Sequence, residues 1–119
     1  MRQTLAAEIL DALQQRHAGI PAEYVEYLRH VGWGSFLRSR YTVYRNLMPA
    51  AERFGKQVAA RLEQRVLCFG DSLSGDVAGF LPDRNWEVVE IGQLDYSIHP
   101  TGQTFGCFIR ERMGLDEVD

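Results

Sequence analysis

Apolar residues along this chain fall into two rhythms, and the change from one to the other marks its elements. Leu5, Ile9, Ala12 and Leu13 recur at helical spacing among polar neighbours, which predicts an amphipathic first helix closed by Gly19. Ile20 and Pro21 start a second: proline suits a first helical position, and Tyr24, Leu28 and Val31 form one apolar stripe in PAEYVEYLRHV, which Gly32-Trp33-Gly34 ends. From Ser35 to Tyr44, Phe, Leu, Tyr and Val alternate roughly with arginines, the pattern of a partly exposed antiparallel pair. Pro49 opens a third helix with the stripe Phe54, Val58 and Leu62, and Arg65 hands over to the apolar strand VLCF. DVAGFL, WEVVEI and DYSIH then read as consecutive short strands joined by turns of Gly, Pro, Asn and Asp. Phe105, Phe108, Ile109 and Met113 predict a closing helix from about Thr104, with Gly114 at its C-terminal cap.

With 119 residues and no internal repeat, linker or low-complexity tract, the chain is expected to be one domain over 1–119, burying on the order of two thirds of its unfolded surface. Apolar residues at 45% and charged residues at 24% are ordinary for a globular protein, and no run approaches the roughly 18 apolar residues of a membrane span. Glu8 and Asp11 interrupt the apolar pattern of the first helix, which separates it from a signal peptide and points to the cytoplasm. Cys68 and Cys107 lie far apart without a C-x-x-C partner, as reduced thiols do, rather than as a disulfide framework or a metal site.

Charge is more informative by region than in total. Residues 1–65 carry a balance of +4 and residues 66–119 a balance of −7, which together give the −3 of the whole chain. An acidic C-terminal half repels phosphates and anionic lipid. Direct nucleic-acid or membrane binding would therefore rest on Arg38, Arg40 and Arg45, which read as solvated positions on strands and turns.

The stretch VLCFGDSLSGD raises the question of catalysis, because an apolar strand entering Gly-Asp-Ser-Leu is how GDSL esterases begin, which would make Ser72 a nucleophile. A nucleophile elbow needs a helix directly after its serine, to supply amides to the oxyanion. Here Ser72 enters a turn between strands. The oxyanion block and the Asp-x-x-His pair of that family are missing; the nearest candidate, Asp95 to His99, is one residue too long and falls on a predicted strand. A GDSL-type serine esterase using Ser72 stands as the alternative. As a phosphate loop, Gly70 to Val77 puts Asp76 where lysine neutralises phosphate, and as a calcium loop it puts Leu73 and Gly75 at ligand positions. His17 and His30 each fall near a helix C-terminus, where the dipole favours a cation. No catalytic residue, cofactor or metal is expected.

Taken together, IPAEYVEYLRHVGWGSF, FGDSLSGDVAGFLPDRNWEVVEIG and TFGCFIRERM resemble, in this order and over nearly the whole chain, the SUKH superfamily of Smi/Knr-type domains. The residues that carry the resemblance are Pro21, Tyr24 and Leu28, the Gly75-Asp76 turn, Trp86 with Val88 and Val89, and Thr104, Phe105, Phe108 and Ile109; Gly32-Trp33-Gly34 departs from the family's Asn-Gly-Gly-like turn. The resemblance implies an α+β fold, a single domain with helices packed on a mostly antiparallel sheet and a closing C-terminal helix. It also implies function. Many bacterial members are immunity proteins that bind and neutralise a cognate toxin, whereas eukaryotic relatives are interaction modules, so a housekeeping module is a further alternative.

A partner-binding surface is sought among the carboxylates of the acidic half: Asp71 and Asp76 in one turn, Asp83 in the next, and Glu87, Glu90 and Asp95 around the following strands. Strand alternation sends Glu87 and Glu90 to opposite faces, so the six cannot form one patch. An acidic surface would attract the basic substrate groove of a nuclease toxin. The second expected location is aromatic: Trp33, Tyr41 and Tyr44.

Overall fold

The computed structural model describes residues 2–3, 6–36, 40–62, 64–72 and 74–113; Leu5, Arg38, Leu73 and Gly114, named above, lie outside them. The described chain runs β1 (Arg2–Gln3), α1 (Ala7–Arg16), α2 (Ala22–His30), β2 (Trp33–Phe36) and β3 (Tyr41–Pro49). It continues through α3 (Ala50–Phe54), α4 (Lys56–Arg61), β4 (Leu67–Ser72), β5 (Val77–Leu81), a 3-10 turn at Pro82–Arg84, β6 (Glu87–Ile91), β7 (Ile98–Pro100) and α5 (Phe105–Met113). Among the described residues the strands form one sheet in chain order from β1 to β7, every pair antiparallel. The fold is α+β.

Side-chain alternation gives the sheet two apolar faces. On one face Val43, Phe69, Ala78, Phe80 and Val88 meet Leu10 and Leu13 of α1, Tyr24 and Leu28 of α2, and Phe105, Phe108 and Ile109 of α5. The aromatic members interlock: Tyr24 stands edge-on to Phe80 and Phe105, with centroids 5.4 and 5.2 Å apart, and Phe69 lies 5.7 Å from Phe108. On the opposite face Val66, Cys68, Val77, Leu81, Val89 and Ile91 are covered by Phe54, Ala59 and Leu62 of the α3–α4 segment and by Tyr96 and Ile98.

The α2 stripe, β4 to β6 and the closing helix lie where the apolar pattern puts them, whereas the β2–β3 pair, expected over 35–44, begins at Trp33 and runs on to Pro49. Of the residues expected where α5 packs on the sheet, Val88, Phe105, Phe108 and Ile109 are buried, and Trp86 is half-buried. Three expectations are corrected. The buried stripe of α1 is Leu10 and Leu13, while Ile9 remains 39% exposed and Ala12 is exposed, because the narrow contact with α2 and the sheet takes only one of two adjacent apolar residues. The third helix is two short ones, broken at Gly55, whose φ of +96° leaves the helical region. The segment expected as the strand DYSIH begins in a turn over 93–95, and β7 starts only at Ile98.

Candidate partner-binding surface

Ser72 closes β4, and its surroundings are those of a turn residue. Its amide donates to Asp76 O at 2.9 Å, its carbonyl accepts Gly75 N–H at 3.0 Å, and its hydroxyl accepts Asp76 N–H at 3.2 Å and lies 2.8 Å from Ser74 Oγ. The strand β5 follows directly. Asp95 and His99 do meet, but on Ser97: its hydroxyl donates to Asp95 Oδ1 at 2.7 Å and lies 2.6 Å from His99 Nε2. With the hydroxyl proton committed to the carboxylate, the imidazole contact is an N–H donated to Ser97 Oγ. These bonds run away from the serine as a nucleophile. The Ser97 hydroxyl, and next its backbone amide at 3.0 Å, hold the exposed Asp95 carboxyl below the usual range.

The six acids are dispersed. Asp71 faces the α3 side because β4 carries an extra residue at Phe69, between the pairs Cys68 with Gly79 and Gly70 with Ala78; this bulge reverses the alternation. There Asp71 accepts the Tyr44 hydroxyl, Tyr44 Oη accepts Arg53 Nε–H at 2.9 Å, and Arg53 Nη2 stands 3.8 Å from Asp71. Burial, and after it the bond to Asp71, raises the Tyr44 phenol pKa above its ordinary value. Glu90 lies on the face of α5, paired with Arg112 at 3.0 Å, and Glu87 lies on the other face. Asp83 stands 3.7 Å from Arg65. Asp76 is exposed beside the β6–β7 loop and forms no ion pair among the described residues.

Two of these pairs join the halves of the sequence. Arg53 and Arg65 of the basic half meet Asp71 and Asp83 of the acidic half, so the charge asymmetry read along the chain is partly cancelled in space. The aromatic location is corrected as well. Tyr41 is 2% exposed, within the core beside Phe108, and cannot meet a partner; Trp33 is half-buried against the same core, and Tyr44 is engaged by Asp71 and Arg53.

The concave feature of this face is a groove of about 470 Å³. Arg61 and Leu62 at the end of α4, Arg84, Glu87, Tyr96 and Ile98 are among the residues that line it. Asp83 adjoins it beside Arg84. The lining therefore mixes arginines of both sequence halves and the Glu87 carboxylate with the apolar side chains of Leu62, Leu81 and Ile98. Beyond Tyr96 the β6–β7 loop carries Leu94, which is 93% exposed. Sequence reasoning passed over Leu94; its only signal was one apolar residue inside the polar turn GQLDYS.

Among the described residues, no helix is long and apolar enough to cross a membrane, and no group of three or more His, Cys, Asp or Glu side chains is placed to hold a metal ion. The chain matches no protein-family model, and no curated protein or solved structure is significantly similar to it.

Proposed function

We propose that this protein is a non-catalytic binding domain of the immunity type, which associates with a toxin protein and neutralises it. The observation that supports this reading is positional: Tyr24, Leu28, Val88, Phe105, Phe108 and Ile109, which carry the resemblance to SUKH domains, converge on one core between α2, α5 and the sheet. Those residues act as a framework, as Val89 does in the core of the opposite face, and a partner would read the exposed side chains around them. Asp76 is exposed in the turn before β5 and Asp95 in the β6–β7 loop, and Glu87 is half-buried in the groove. The interface is expected to be of mixed charge, with arginines and carboxylates both presented, and its carboxylates to face a basic substrate groove on the toxin.

Co-expression with the toxic protein encoded beside its own gene tests the reading. Growth restored together with a complex that co-purifies is the expected outcome. Survival without a complex, or no survival, would contradict it.

A further inference from the structure

We propose that the β6–β7 loop is a preformed docking knob, in which Leu94 enters an apolar pocket of the partner protein while cations on the rim of that pocket face Asp95 and Asp76. The inference deepens the immunity reading and rests on it for the identity of the partner. Leu94 is 93% exposed, whereas Ile9, the other large apolar side chain exposed among the described residues, is 39% exposed. A leucine in that position contributes little to the core, and its burial in a partner's pocket would remove apolar surface from water.

The loop around it is held from both sides. Gly92 N–H donates to Ser97 O at 3.0 Å, Tyr96 N–H donates to Gly92 O at 2.9 Å, and Ser97 N–H donates to Asp95 Oδ1 at 3.0 Å. Tyr96 takes the left-handed φ of +57°, and its ring stands edge-on to Phe54 at 5.4 Å. A non-glycine residue held in that region is strained, and such strain persists where surrounding contacts enforce it. On the far side, Gly75 of the β4–β5 turn lies against the Gln93 side chain, with no room for a Cβ between them. A knob fixed in this way loses little conformational freedom on binding.

The charge around the knob specifies the partner's rim. Asp95 follows Leu94 in sequence. Asp76 precedes Val77, which pairs with Ile91, so its carboxylate belongs to the same end of the sheet as the loop. An exposed leucine with two carboxylates at the same end of the sheet fits a leucine-sized pocket with Lys or Arg on its rim.

Calorimetric titration tests this against the catalytically inactive form of the toxic protein encoded beside its own gene, with wild type, Leu94→Ser, Leu94→Met and Asp76→Lys. Leu94→Ser should weaken binding about tenfold or more with an unchanged melting temperature, Leu94→Met should bind nearly as wild type, and Asp76→Lys should weaken binding at low salt and less at high salt. Leu94→Ser binding as tightly as wild type would overturn the knob and leave the immunity reading standing. Wild type that does not bind would overturn both. Self-association abolished by Leu94→Ser would assign the pocket to a second copy of this chain and overturn the proposal of a different partner.

Discussion

The Glu23 carboxylate, in the first turn of α2, accepts the amide N–H of Gly106, in the first turn of α5, at 3.2 Å and across 83 residues of chain. Thr104 caps the same helix end locally, its hydroxyl accepting Cys107 N–H at 3.2 Å. Two otherwise orphaned amides are thereby satisfied, one by a neighbour and one by a distant helix that packs beside it. The Glu23 carboxylate lies close enough to Gly106 that a Cβ there would displace it from this bond. Replacing Glu23 by Ala should lower stability by roughly 0.5–1 kcal/mol in urea unfolding, and Gln should restore part of that, keeping the hydrogen bond without the charge that favours a helix N-terminus.

Phe108 is fully buried against Phe69 and Tyr41, with the Arg112 guanidinium 4.6 Å above its ring. Truncation to Ala removes those contacts and opens a cavity that the sheet cannot close. A loss of roughly 3–5 kcal/mol is expected in denaturant unfolding. A loss well below 1 kcal/mol would mean that α5 does not pack on the sheet as described.

Much of this fold was legible in the sequence because its signals are local. The α2 stripe, the tight turns at Gly75 and Pro82, and the spacing of Phe105, Phe108, Ile109 and Met113 all follow from period and turn chemistry. Ile9 and Leu10 show where such signals stop: both are apolar and adjacent, and only packing decides which is buried. Likewise the bulge at Phe69 is a property of strand pairing, and it alone carries Asp71 to Tyr44 and Arg53. The charge of each half gave no indication of the Arg53–Asp71 and Arg65–Asp83 pairs, because net charge along a chain contains no information on distance in space. Tyr41 resembled a surface aromatic for the same reason; its neighbours in sequence are polar, and its neighbours in the fold are not.

Alkaline pH should destabilise the protein. Burial pushes the Cys68 thiol up to about 12 and raises the Tyr24 and Tyr41 phenols above their usual values, since each is neutral in the core. A folded-state pKa above the unfolded one gives a contribution that is full below the unfolded pKa and lost as pH rises toward the folded one. The urea midpoint is therefore expected to hold from pH 7 to about 8.5 and to fall increasingly above it, as unfolded thiols and then phenols ionise. A midpoint unchanged up to about pH 11 would contradict this. In the folded state, a thiol reagent should titrate the exposed Cys107 promptly and Cys68 only after unfolding.

Ser72→Ala discriminates the turn role from the catalytic one. Loss of the bond from Asp76 N–H should cost about 0.5–1.5 kcal/mol of stability, with no change in the background rate at which purified protein turns over an activated ester. Turnover by wild type that disappears in the variant would establish a hydrolase.

The most direct test of the proposed role is the residual activity of a purified candidate toxin, encoded by a gene adjacent to that of this protein, as this protein is added in increasing amounts. Neutralisation by binding requires activity to fall to zero at a fixed stoichiometric ratio and to recover when the complex is dissociated. Toxin activity that stays constant across the titration, or that declines with time at substoichiometric amounts and leaves no complex, would contradict a non-catalytic binding role.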